Sequence, residues 1–255
     1  MELYTAVANI PHPDKADRGG EDGFFLTTPQ LSAVGIADGV GGWANSGINP
    51  KDFADDLMAF TKEQIELGIT NPVVALDNSY LKVCQTGSST AVVGIMNKKG
   101  IFSVANMGDS GFMIIRQNEI IFKSEEQQHG FNFPYQLGKT EGRDGKYYPH
   151  GDDRPKDAET YKIKLHKDDI VILGSDGLFD NCWDADILNK VNTLSGESPE
   201  ILSLELAKLS YSEAGKTDNW VPFGDRALRD GVIKSKNEWR GGKMDDITVI
   251  VGIVV

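Results

Sequence analysis

The run from Ser88 to Lys123 constrains this chain more than any other stretch. Four β-type segments follow one another there: Ser88–Met96, Ile101–Asn106, Gly111–Arg116 and Ile120–Lys123. Only Asn97–Gly100, Gly108–Ser110 and Gln117–Glu119 separate them. A parallel crossover needs about a dozen residues or more, so gaps this short predict antiparallel neighbours. Gly23–Thr28 and Leu31–Ala37, split by Pro29-Gln30, read as a hairpin, and Tyr161–Leu165 with Ile170–Gly174 as another strand pair. Ile247–Val255 (ITVIVGIVV) is nearly continuous apolar sequence, the pattern of a strand buried on both faces.

Helices must cover such strands. Asn49-Pro50 caps and starts one, with Phe53, Leu57, Phe60 and Ile65 roughly on one face. Asn71-Pro72 repeats the signal for a second helix reaching Cys84, its buried stripe read as Val74, Leu81 and Cys84. Trp183–Leu194 and Pro199–Ala214 are helical, with Trp183 expected to anchor its helix to a sheet. Gly215–Met244 is loop-rich with room for a short helix. Ser124–Glu159 is polar and rich in Gly and Pro, long enough to predict a flap or insert near residues 124–160. No repeat or linker divides the 255 residues, so one domain over 1–255 is expected, with layered sheets inside and helices outside.

Composition removes several function classes. The formal charge of −12 repels nucleic acid. Apolar residues at 40 % are ample for a core and too many for disorder. No stretch of about 18 apolar residues offers a membrane span. Cys84 and Cys182 form no disulfide framework, and both read as reduced thiols. The first residues, MELYTAVANIPHP, lack a basic or apolar leader pattern, which predicts a cytoplasmic protein. The alternative is the mitochondrial matrix, if a presequence precedes this sequence.

The acids are not scattered. Ile36-Ala37-Asp38-Gly39, Asn106-Met107-Gly108-Asp109-Ser110 and Leu173-Gly174-Ser175-Asp176-Gly177 each end a predicted strand. Met244-Asp245-Asp246-Ile247 begins the last strand, and Gly20-Glu21-Asp22-Gly23 precedes the first hairpin. Any one is an ordinary Asp-Gly turn. Together they would crowd like charges at strand ends, which is costly without cations. The four His are scattered and the Cys unpaired, which disfavours zinc. Carboxylates, a carbonyl and water select Mg²⁺ or Mn²⁺.

In chain order, GEDGFF (Gly20–Phe25), ADGVGG (Ala37–Gly42), GSSTA (Gly87–Ala91), ANMGDSG (Ala105–Gly111), LGSDGLFD (Leu173–Asp180) and DDITV (Asp245–Val249) resemble the ordered motifs of the metal-dependent type-2C (PPM) Ser/Thr protein phosphatases. They span nearly the whole chain. ADGVGGW with SEEQQHGFNFPYQL (Ser124–Leu137) resembles the branch with mitochondrial-matrix and plastid members. The resemblance implies an α+β fold, a four-layer α-β-β-α sandwich of two mainly antiparallel sheets. It implies two Mn²⁺ or Mg²⁺ ions: Asp38 bridging both, Glu21 and the Gly39 carbonyl completing one site, Asp176 and Asp245 the other. Asp109 with Asp176 resembles the pair that holds a third, weaker ion. The implied reaction is attack of a metal-bridging hydroxide on phosphoserine or phosphothreonine, with no phospho-enzyme, which makes Asp38 and Asp176 the catalytic pair. A phosphoprotein is the implied substrate, and the chain is expected to act as a monomer.

Two positions depart from the pattern. Val40 stands where many relatives place a general-acid His, so a metal-bound water is left to supply the proton. Asp17 stands where many place a phosphate-binding Arg, leaving Arg18 or Lys15 as candidates; Lys15 reads equally well as a solvated charge. These departures keep open a catalytically weak pseudophosphatase that binds or regulates. His129 and Trp43 read better as packing residues than as chemical groups.

Overall fold

The computed structural model describes residues 1–255. The chain opens with β1 (Leu3–Ile10), β2 (Asp22–Leu26) and β3 (Ala33–Asp38), then the helices α1 (Pro50–Glu66) and α2 (Pro72–Lys82). Next come β4 (Gly87–Ser89), β5 (Ala91–Met96), β6 (Ile101–Met107), β7 (Gly111–Arg116) and β8 (Glu119–Lys123). Short strands β9 (Gln128–Gly130), β10 (Phe133–Pro134), β11 (Leu137–Glu141) and β12 (Tyr147–His150) lead to β13 (Glu159–Lys164) and β14 (Ile170–Gly174). The chain closes with α3 (Asp176–Phe179), α4 (Asp184–Thr193), α5 (Pro199–Ala214), α6 (Pro222–Arg229) and β15 (Ile247–Val254).

Two five-stranded sheets result, in the orders β1-β15-β14-β7-β8 and β13-β6-β5-β3-β2. Every pairing within them is antiparallel, as the short gaps require. Strand alternation builds the layers, because successive side chains point to opposite faces. Val92 and Met96 of β5 meet Phe112, Ile114, Leu173 and Ile250 between the sheets. Val93 and Ile95 point the other way, onto Phe53, Leu57 and Leu76 of α1 and α2. On the far side Met113, Ile172, Val249 and Val251 pack on Ile187, Leu202 and Leu206 of α4 and α5. The outcome is the expected four-layer α-β-β-α sandwich. No helix is long and apolar enough to cross a membrane.

Several details differ from the sequence expectation. The first residues, read only for a leader, form β1, which pairs with β15 from Leu3↔Val254 to Ile10↔Ile247. Ser88–Met96 is two strands: β5 joins the main sheet, while β4 pairs with β11 in a separate β12-β11-β4 sheet. The segment after Ser124 therefore carries its own strands and docks on the body through β4. The α2 stripe is Ala75, Leu76, Ser79 and Tyr80, whereas Val74, Leu81 and Cys84 are exposed. The buried side mixes Leu76 and Tyr80 with the small Ala75 and Ser79, so apolarity alone misidentifies it. Trp183 caps α4 and donates its Nε1–H to the Trp220 carbonyl, tying the helix to the 215–244 segment instead of a sheet.

Candidate metal centre

Antiparallel pairing brings the acidic turns to one end of the sandwich. Where one strand ends its neighbour begins, so Asp22 at the start of β2 lies opposite Asp38 at the end of β3. Gly174 at the end of β14 lies opposite both Gly111 and Val249, placing Asp109, Asp176 and Asp245 at that same end. Glu21, Asp22, Asp109 and Asp176 are buried.

The turns are held by backbone contacts. Gly39 donates its N–H to the Glu21 carbonyl at 3.2 Å, and a Cβ at Gly39 would lie 2.6 Å from that oxygen, so only glycine fits. The Asp38 N–H donates to Thr90 Oγ1 at 3.0 Å, and the Thr90 N–H returns a bond to the Asp38 carbonyl at 2.9 Å. Asp246 closes the ring: its Oδ1 accepts the His12 N–H at 2.7 Å and its Oδ2 the Glu21 N–H at 3.0 Å. The loop carrying Glu21 is thereby fixed to the start of β15.

Two ammonium groups stand among the acids. Lys15 Nζ lies 2.6 Å from Glu21, 3.1 Å from Asp246 and 3.5 Å from Asp245. Arg18 adds a second contact to Glu21 at 2.7 Å. Lys243 Nζ lies 2.5 Å from Asp176, 2.7 Å from Asp180 and 3.2 Å from Asp245. Arg226 takes the other Asp180 oxygen and reaches Glu126 at 3.2 Å. With these cations interposed, no three carboxylates converge on a common point at ligand distance.

The remaining charge is still under-compensated. Burial, then the neighbouring carboxylates led by Asp22 and Asp176, push Asp38 well above the usual carboxylate range. Burial and Asp176 do the same to Asp109. Asp22 is raised to about 7 by burial and by Asp246, Asp176 and Asp245, against the Thr248 hydroxyl that bonds it at 2.6 Å. Burial lifts Asp176 to about 6 although Lys243 opposes it. Asp245 is the exception: burial would raise it, but Lys243 and Lys15 hold it below its ordinary value. Oδ1 of Asp22 and Oδ1 of Asp176 are buried without a hydrogen-bond partner. Glu21 Oε2 also lacks an aligned hydrogen bond, although Lys15 is 2.6 Å away; the contact is ionic without donor alignment. Hard oxygen donors, orphaned lone pairs and mutual repulsion fit a divalent cation such as Mn²⁺ or Mg²⁺.

Of the sequence candidates, Glu21, Asp38, Gly39, Asp109, Asp176 and Asp245 all come to this end. Lys15 and Arg18 come too, paired with Glu21 and not solvated singly. Asp22, Asp180, Asp246, Lys243 and Arg226 escaped the sequence reading, although Asp22 and Asp246 are the second acids of the doublets Glu21-Asp22 and Asp245-Asp246. His129 is tied within the 124–160 segment: Nε2 lies 2.9 and 3.0 Å from the Asp153 oxygens, and the ring stacks on Tyr135 at 4.0 Å between centroids. Trp43 donates its Nε1–H to Ser88 Oγ at 2.7 Å and meets the His150 ring edge-on at 4.9 Å, a packing role. Cys182 is buried, its thiol pushed up to about 12 by burial, and Cys84 lies exposed beyond α2, so neither suits a nucleophile.

No family model matches the sequence. The chain is 33 % identical over 260 residues to "Probable protein phosphatase 2C 80" of Arabidopsis thaliana and spans 59 % of that relative's length. It is 34 % identical over 249 residues to "Protein phosphatase PTC7 homolog" of Danio rerio, covering 81 % of it. Its structure matches that of the photosystem II phosphatase PBCP with a TM-score of 0.89 and 32 % identity, over 99 % of both chains. At 16 % identity and a TM-score of 0.61, the PstP catalytic domain, solved with two manganese ions, shares the fold. One of these likenesses overturns the cytoplasmic expectation: the photosystem II phosphatase, matched over 99 % of both chains, points to an organellar setting. Leu3–Ile10 form β1, so the first residues report on the fold and not on location. Likeness over the full chain, at this identity, leaves one conclusion: the chain belongs to the type-2C (PPM) protein phosphatase family.

Proposed function

We propose that this chain is a Mn²⁺- or Mg²⁺-dependent protein phosphatase acting on phosphoserine and phosphothreonine. One observation carries the reading: carboxylates from five separate strand ends gather at one end of the sandwich, with buried oxygens left unpartnered. Glu21, Asp38, the Gly39 carbonyl, Asp176 and Asp245 would hold two ions. Bound there, the ions would acidify water as a nucleophile and neutralise phosphate oxygens. Hydrolysis is then direct, in keeping with two cysteines that are unsuited to a covalent route. The Asp246 and Thr90 bonds hold the backbone of Glu21 and Asp38 in place before any ligand arrives. Arg18 and Lys15 stand beside Glu21 and can turn to a phosphate once ions take over that carboxylate. With Val40 after Asp38-Gly39, the leaving oxygen draws its proton from water and not from an adjacent imidazole.

A second reading, a binding or regulatory module without turnover, is favoured by the interposed lysines and by Val40 and Asp17. Phosphopeptide hydrolysis with Mn²⁺, with and without chelator, separates the two. Chelator-sensitive phosphate release supports catalysis; manganese binding with no release at any metal concentration supports the binding module. Asp38→Asn is expected to abolish release while leaving the circular dichroism spectrum unchanged, and a fully active Asp38→Asn protein removes Asp38 from the metal centre.

A further inference from the structure

Lys243 is built into the acidic cluster and does not hang over it. Its backbone is clamped to the Asp176–Asn181 turn in both directions: its N–H donates to Asn181 Oδ1 at 2.8 Å, and Asn181 Nδ2 donates to its carbonyl at 2.8 Å. Asn181 is itself buried and also bonds the Gly177 carbonyl at 2.9 Å. The preceding Gly242 lies so close to the end of α5 that a Cβ there would collide with the Glu213 carbonyl and with Ala214. The ammonium therefore emerges from a fixed stem. Its walls are fixed as well, with the Phe223 ring 5.1 Å below it.

The oxygens it takes are selective. Asp180 is buried, and both its oxygens are spoken for: Lys243 holds Oδ2 and Arg226 holds Oδ1. Asp176 is divided. Lys243 holds Oδ2 at 2.5 Å, while Oδ1 is buried and unpartnered. One oxygen of Asp176 thus stays free for an ion, while the other faces an ammonium that also stands 3.2 Å from Asp245 Oδ2. A third divalent ion joining Asp176 to the Asp109 side would have to settle against an ammonium and a guanidinium already in place.

We propose that Lys243 is a resident cation that takes the place of a third divalent ion, so that this chain holds two ions and not three. The proposal rests on the metal-centre reading above and determines how many ions that centre admits. It also makes Lys243 a positioning residue, one that orients Asp176 through Oδ2 and leaves Oδ1 to the metal.

The test counts ions. The full chain, stripped with chelator and dialysed, is titrated with Mn²⁺, and bound metal is followed by equilibrium dialysis with electron paramagnetic resonance of the free ion. Wild type is expected to bind two ions with no further uptake at millimolar free metal. Lys243→Met is expected to bind three, and Lys243→Arg, which keeps the charge, two. A third ion on wild type overturns the proposal, as does a count of two on folded Lys243→Met. The wild-type count decides alone if Lys243→Met does not fold. If wild type and both variants bind no manganese at all, the metal-centre reading itself fails, an outcome distinct from an unchanged count of two.

Discussion

Asp22 offers the sharpest test of the electrostatics at this end of the sandwich. It is fully buried beside Asp38, and its carboxylate has one hydrogen bond, from Thr248, and one bare oxygen. In the metal-free protein its pKa rises from 3.8 to about 7. One pKa unit corresponds to about 1.4 kcal/mol, so keeping Asp22 ionised costs the fold about 4 kcal/mol. Because the folded pKa lies above the unfolded one, the folded protein binds more protons between about pH 4 and about pH 7. Stability contributed by the protonated acid is complete below about pH 4 and is lost as pH rises through about 7. Asp22→Asn removes the charge, keeps an acceptor for Thr248, and turns an amide donor toward the surrounding carboxylates. Urea unfolding followed by tryptophan fluorescence in chelator is the assay. At pH 8 the variant is expected to be more stable than wild type by about 4 kcal/mol, and the two to converge near about pH 4. Saturating Mn²⁺ narrows the gap, because the ions then screen Asp22. A variant no more stable than wild type at pH 8 in chelator, or a gap that is flat with pH, would refute the argument.

Two further substitutions test supports of the fold, the first at the end of the sandwich opposite the acids and the second beside them. Arg116 grips the buried Asp169 through Nε at 2.8 Å and Nη2 at 2.6 Å, leaving only the His166 N–H if it is removed. Arg116→Met should cost about 3 kcal/mol in urea unfolding without changing manganese affinity; a loss under about 1 kcal/mol means solvent already compensates Asp169. Gly177 packs against the Asp246 carbonyl so closely that a Cβ would overlap it. Gly177→Ala should therefore push α3 from the start of β15, lowering stability by about 1–3 kcal/mol and weakening Mn²⁺ binding together. Unchanged metal affinity in that variant would mean that Asp176 and Asp245 move independently.

The layers were legible in the sequence because β-periodicity and short gaps leave few arrangements open. Ala91–Met96 and Ile101–Met107 alternate two buried faces, which is what strands between a helical layer and a second sheet must do. β1 was not legible: LYTAVANI gains its place by pairing with β15, a contact some 240 residues away in sequence. The α2 face was misjudged because packing there selects fit, and Ala75 and Ser79 fit where Val74 and Leu81 do not. The acids were legible for a topological reason, since antiparallel strands put alternate turns at one end. Their partners were not. Lys243 reaches Asp176 only because Asn181 draws the Gly242-Lys243 loop onto the α3 turn, and no local spacing encodes that contact.

Those partners change the meaning of the net charge. A chain of −12 that collects its acids at one end faces a folding problem before it meets any metal. Lys15, Arg18, Lys243 and Arg226 answer it, each placed against a buried carboxylate. They leave Asp22, Asp38 and Asp109 without an ion pair, and burial among the neighbouring carboxylates pushes all three above the usual range. Two divalent ions would add four positive charges, bringing −12 to −8 and relieving the acids that the lysines do not reach. The division of labour follows. Fixed cations make the metal-free fold tolerable, and Asp38, which has none, stands to gain from a metal. Asp38→Asn should therefore raise the thermal midpoint in chelator and abolish the further rise that Mn²⁺ gives wild type. A variant that melts lower than wild type in chelator would show that the Asp38 charge is already balanced in the metal-free protein.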